Sequence, residues 1–204
     1  GFGLRALLPA SVIARRWTSD EARALFAGMA AHAIHPLQRP TTGGLGLMFG
    51  MTGHAYGWPV AKGGSQAIAA ALAAALAEHG GRIETGHRVT EMPQADVVVF
   101  DTTPATALRV AGDRIPARVR RPLSRWRTGP AIFKVDFAVE GGVPWQNEWA
   151  RKAGTVHVGG TFEQVNAAEN EVHAGRMPSR PFVLVCQQYL ADPQRSAGDV
   201  HPIW

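Results

Sequence analysis

Eight histidines, one cysteine and sixteen carboxylates make up the reactive inventory of this 204-residue chain. His32 and His35 stand three apart, and Glu169 and His173 four apart, spacings that set two metal ligands on one helical face. Pro36 ends the first turn, and no third ligand lies near the second pair in sequence. A solvated helix face is therefore the reading for Glu169 and His173. Cys186 follows Val183-Leu184-Val185, an apolar setting that suits a small core residue better than a nucleophile. No G-x-S-x-G elbow occurs, and no Ser, His and Asp set has a spacing that points to a triad.

Phosphate chemistry needs glycines between a strand and a helix, where backbone N–H groups can meet an anion. Gly44-x-Gly46-x-x-x-Gly50 and Gly1-x-Gly3-x-x-Ala6 lack the preceding strand. Lys62-Gly63-Gly64-Ser65 opens a helix and is either an anion-tolerant end or a tight capping turn. Arg114, Arg118, Arg120, Arg121, Arg125 and Arg127, with Trp126 among them, form a basic cluster. Such a cluster could grip nucleic acid or an acidic partner. The alternative is a solvated or partner-facing surface, since the other arginines are scattered.

Composition bounds these options. Hydrophobic residues make up 46% and charged residues 18%, against a usual charged share of about 25%, so a globular, lightly charged chain is expected. Of the 21 basic residues 18 are arginine, which suits phosphate or carboxylate recognition but also follows from a GC-rich genome. One cysteine rules out an internal disulfide framework. The longest apolar run, Ala67 to Ala77, is short of the roughly 18 residues of a membrane-spanning helix. A cytoplasmic location is expected, with attachment to a membrane surface as the alternative. The chain opens without methionine and closes on apolar Ile203-Trp204, which reads as a fragment whose exposed edges could pair two copies as a homodimer.

The elements that must position these residues read as follows. Thr18 and Glu21 form a capping box ahead of a helix over 22–34. Thr41 to Pro59, with six glycines, is expected to be a loop or short helical pieces. Ser65 caps a helix over 66–79, stopped by Gly80-Gly81, whose alanines suit packing on a sheet. Alternation over 82–91 and the apolar run 95–100 predict two strands, the second buried. A short helix over 104–110 follows. Residues 131–139 predict a half-exposed strand, 155–159 and 181–190 two more, and 163–173 a helix. The fold class expected is α+β, with a mostly antiparallel or mixed sheet and covering helices. Three parts are expected: 1–62, 63–115 and 116–204.

The order of several short motifs carries a resemblance. Gly57-Trp58-Pro59-Val60-Ala61-Lys62-Gly63-Gly64-Ser65, then Leu72, Leu76, Gly80-Gly81 and Ile83 to Val89, resembles the FAD-dependent oxidoreductases of the phytoene desaturase and amine oxidase superfamily. Ala95-Asp96-Val97-Val98-Val99 looks like the strand that reaches the flavin nucleotide there. Gly129-Pro130, Lys134-Val135-Asp136, Pro144-Trp145, Thr155 to Gly160 and Arg180-Pro181-Phe182 through Asp192-Pro193-Gln194-Arg195 are similar to the bacterial phytoene dehydrogenase-like branch. The family's dinucleotide fingerprint and its Gly-rich flavin-contacting end have no counterpart, so the chain looks like the middle of such a protein.

That resemblance implies an FAD/NAD(P)-linked reductase fold in which 63–115 is a small strand-rich part of the FAD domain and the flanks form the substrate domain. Val89, Thr102, Thr103 and Pro104 would lie beside the nucleotide, although FAD would not be retained by this stretch alone. The implied chemistry is hydride removal from an apolar small-molecule substrate, with no nucleic-acid partner and no spanning segment. Phe49, Tyr56, Trp58, Phe133 and Phe137 would line the substrate cavity, each having a plain core position as its alternative.

Overall fold

A computed structural model describes residues 2–204. In chain order come α1 (Phe2–Ala6), α2 (Ala10–Ile13), α3 (Asp20–Ala31), α4 (Thr42–Tyr56), α5 (Gln66–Glu78), α6 (Pro104–Ala111) and α7 (Ala117–Leu123). They are followed by β1 (Phe137–Glu140), α8 (Glu148–Lys152), β2 (Thr155–Val158), α9 (Phe162–His173), β3 (Val183–Cys186) and β4 (Val200–Ile203). β1 pairs with β4 and β2 with β3, both antiparallel, so the class is α+β. The chain divides into two units, Gly1–Ala71 with Pro130–Trp204, and Leu72–Gly129, and α5 straddles the boundary.

The core of the larger unit is built from small and branched side chains of α2, α3 and α9: Ala10, Ile13, Phe26, Ala27, Ala30, Phe162 and Val165 are all buried, with Leu37 beneath the turn after α3. α3 spans Asp20–Ala31 rather than 22–34, and its cap lies one residue later than the Thr18 of the expected capping box. Ser19, in extended backbone, accepts from the Ala22 N–H at 3.2 Å, so Ser19 and not Thr18 satisfies a free donor of the first turn. α9 has the full reciprocal cap, with Thr161 accepting from Gln164 N–H and the Gln164 side chain accepting from Thr161 N–H. Asn166 Oδ1 accepts from Leu37 N–H at 2.8 Å, and the Gln38 amide donates to Asn170 at 2.7 Å. Those bonds and the Arg23–Glu163 ion pair lash α9 to the end and flank of α3.

The stretch expected to be irregular is a fifteen-residue helix, α4. Each of its glycines costs about 1 kcal/mol relative to alanine in a helix, yet α4 lies along α3 with Gly43 and Gly46 buried. Thr42 fixes its start: the buried hydroxyl accepts from Ala10 N–H at 3.0 Å and donates to Arg39 C=O at 2.7 Å. Tertiary packing overrides the local preference for coil.

Three expectations about strands need correction. Residues 82–91 and 95–100 form no strand, and the expected strand-rich piece is absent from the described residues of the Leu72–Gly129 unit. Val97 is 77% and Val99 86% exposed rather than buried. An alternating stretch becomes a strand only when a second one completes its ladder, and this unit supplies helices alone. α5, expected to lie on that sheet, has no buried residue, although its Gly80-Gly81 stop forms as expected, with Gly81 N–H donating to Leu76 C=O at 2.9 Å. Finally, the strand over 131–139 shrinks to Phe137–Glu140, because β4 is four residues long and the register ends at Phe137 opposite Ile203. Phe133, beyond that end, is 91% exposed.

Within the Leu72–Gly129 unit, α6 begins as predicted: Thr103 caps it by accepting from Thr106 N–H at 3.3 Å, and Pro104 takes the first turn. Ala107, Val110 and Ala111 are its buried side chains.

Candidate functional site

The larger unit gathers five rings from separate parts of the chain. His32 caps the C-terminus of α3, and its ring stacks on Phe49 of α4 with centroids 4.7 Å apart and planes 15° apart. Phe49 in turn stacks on Trp58, just past the end of α4, at 5.3 Å. On the other side His157 of β2 meets His32 at 5.2 Å and Phe182, ahead of β3, edge-on at 5.2 Å. Two glycines make the approach possible. A Cβ on Gly28, one helical turn before His32, would lie 2.6 Å from His157 Nδ1, and a Cβ on Gly53, one turn after Phe49, would lie 2.6 Å from Trp58 Nε1. Strand alternation in β2 points His157 to the same side as Thr155, leaving Val156 and Val158 for the opposite side.

The two Nε2 atoms of His32 and His157 are 3.3 Å apart, so one ring donates and the other accepts. Burial lowers the pKa of His32. Burial, followed by the like charge of His32, lowers that of His157 to about 4. Both imidazoles are therefore neutral at pH 7 and resist protonation, leaving the pair able to accept a hydrogen bond beside the aromatic rings. Among the described residues no group of three or more His, Cys, Asp or Glu side chains could hold a metal ion.

The five residues assigned to the substrate cavity do not all meet. Phe49 and Trp58 stack on each other in the ring cluster, whereas Tyr56 is 84% exposed at the end of α4, Phe133 stands in solvent and Phe137 is exposed on β1. His32, dismissed as half of a metal pair, and His157, seen only as part of a strand, were missed, since the contact joins positions 125 residues apart. Sequence spacing carries no signal for it.

The nucleotide residues form no cradle. Val89 is exposed in an unpaired stretch, the Thr103 hydroxyl is engaged as a helix cap, and Thr102 bonds only to the neighbouring Thr103 C=O at 3.3 Å. The residues present do not by themselves fit a dinucleotide. Val89 and Thr102–Pro104 lie in the Leu72–Gly129 unit.

The other candidates resolve as follows. In the loop before α5, Gly63 N–H donates to the buried Asp192 carboxylate at 2.8 Å. The anion that this loop accommodates is thus a side chain of the same chain, and the loop is both a turn and an anion seat. Glu169 is buried on α9 with Oε2 unpartnered, and burial raises its pKa to about 7. His173, one turn on, meets His35 at 5.2 Å. The solvated-face reading of Glu169 is therefore corrected: the side chain is packed inside. Cys186 is buried and free, the small core residue expected. The arginine cluster is exposed throughout, with Arg120 paired to Asp113 at 2.5 Å and Trp126 exposed among its members.

No family model matches the chain, and no solved structure does. It is similar to uncharacterized proteins of Mycobacterium bovis and of Mycobacterium tuberculosis strains CDC 1551 and H37Rv, each 28% identical over 158 residues. The match covers 67% of this chain and 28% of each relative, so the matched chain spans little more than a quarter of the proteins it resembles.

Proposed function

We propose that this chain is the central part of an FAD-dependent oxidoreductase of the phytoene desaturase-like kind, supplying most of the wall against which an apolar substrate lies. The reading rests on the ordered motif series, and the observation that carries it is the Gly63–Asp192 bond of 2.8 Å. It joins the Gly57–Ser65 segment to the Asp192–Arg195 segment, two pieces of that series far apart in sequence. Random similarity in short motifs gives no reason for them to meet. The ring cluster adds a second support, since a partly exposed patch of stacked, uncharged rings suits contact with an apolar molecule.

In this reading FAD belongs to the complete protein, where segments beyond Val89 and Thr102–Pro104 would be needed to hold it, and the flavin would supply the hydride-accepting chemistry. The chain's own residues orient the substrate, with Phe49 and the exposed ring of Trp58 as one side and the His32–His157 pair as the polar end. The exposed Ile83, Val89, Val97 and Val99 are the side chains that further strands would cover. Among the described residues no helix is long and apolar enough to cross a membrane. A cytoplasmic or membrane-surface location belongs to the same proposal.

The test is the gene product that contains these residues. Its coding sequence is expected to carry a G-x-G-x-x-G unit upstream of Gly1, and the purified protein to be yellow and to release FAD on denaturation. A protein with no such unit that stays colourless after incubation with FAD overturns the reading.

A further inference from the structure

The face of the larger unit opposite in character to the ring cluster holds a cavity of about 410 Å³ where α1, α2 and α4 come together. Leu8, Ile13, Trp17, Leu47 and Met51 form its apolar lining, and Arg5 and Arg16 supply its charge. The volume lies within the roughly 300–1,000 Å³ of small-molecule sites. Trp17 packs on the buried Phe26, with ring centroids 5.0 Å apart, so on that side the lining of this open cavity joins the core.

Charge decides what fits. Residues 1–19 contain Arg5, Arg15 and Arg16 and no carboxylate, the first being Asp20. Among the described residues Asp20 pairs with Arg23, and neither Arg5 nor Arg16 has an acidic partner. Two guanidinium groups from different elements over an apolar lining match a ligand with one anionic head and one hydrocarbon tail. A guanidinium binds a carboxylate or phosphate through paired N–H donors, while the tail gains by leaving water. A purely apolar molecule would leave both cations unused, and a polar anion would leave the lining wet.

We propose that this cavity binds a single anionic amphiphile of the medium-chain fatty acid class, head toward Arg5 and Arg16 and tail against Leu47, Met51 and Trp17. The site is separate from the ring cluster and does not depend on the oxidoreductase reading.

Isothermal titration of the full chain at neutral pH with monomeric decanoate, decanol and decylamine, and with anionic phosphatidylglycerol vesicles, tests it. Decanoate is expected to bind at least about tenfold more tightly than decanol, and decylamine to bind more weakly still. Arg16→Gln should reduce decanoate affinity about tenfold, and the exposed Arg176→Gln, away from the cavity, should leave it unchanged. Equal affinity for decanoate and decanol, or an equal loss in both variants, overturns the proposal. So does binding to vesicles with none to monomeric decanoate, which would make the face a membrane contact instead.

Discussion

Burial acts on His157 and Glu169 in opposite directions, and the two effects oppose each other in the pH dependence of folding. The folded His157 has a pKa of about 4 against an ordinary 6.5. As pH falls through that window the unfolded chain takes up a proton that the folded chain refuses, so stability is lost on acidification. The folded Glu169 keeps its proton up to about 7 against an ordinary 4.5. As pH rises through that window the unfolded chain gives up a proton that the folded chain holds, so stability is lost on alkalinisation. Over the shared range the two contributions cancel in part. Glu169→Gln removes one of them, and its urea midpoint should then climb with pH between 4.5 and 6.5, a gain of about 2 kcal/mol. Above pH 7 the variant should also exceed the parent by about 1–3 kcal/mol, because an unpartnered buried carboxylate has been replaced by a neutral amide. A constant difference between the two proteins across the whole range would mean that Glu169 is ionised in the fold.

At the scale of elements, the start of α3 separates a motif from its geometry. Thr18 and Glu21 have the spacing of a capping box, but the hydroxyl that reaches a free amide belongs to Ser19. Ser19→Ala should cost about 1 kcal/mol in denaturant melts, and Thr18→Ala should change little; the reverse ranking would restore the capping box. The elements legible in the sequence were those whose cause is local. α5 with its glycine stop, α6 behind Thr103-Pro104, and α9 behind Thr161 all have their start or stop chemistry within a few residues. α4 was not legible, because what makes five glycines helical is the flank of α3 and the Thr42 hydroxyl, bonds that span up to 32 residues. The strands at 82–91 and 95–100 were misread for the converse reason: their alternation is local, but pairing requires a partner that alternation cannot announce. The site divides in the same way. Phe49 and Trp58 were found from residue type, whereas the His32–His157 contact depends on β2 folding back over α3.

At the scale of the molecule, the two units differ in how much holds them. The larger has a continuous buried core, whereas in the Leu72–Gly129 unit burial is confined to Ala107, Val110 and Ala111. Amides between Arg82 and Thr102 have no backbone acceptor among the described residues, and their apolar neighbours face solvent. Hydrogen exchange of this chain should therefore show near-intrinsic rates over 82–102 and strong protection in α3 and α9. Limited proteolysis should cut first within the same stretch. If the oxidoreductase reading holds, the complete gene product supplies strands that pair with 83–89 and 95–100, and those amides should slow by several orders of magnitude while the protection of α3 and α9 stays as it is. Rates over 82–102 that remain fast in the complete protein would leave Val97 and Val99 uncovered there too. The assignment of this stretch to a flavin domain would then fall, with the ring cluster and the arginine-lined cavity standing apart from it.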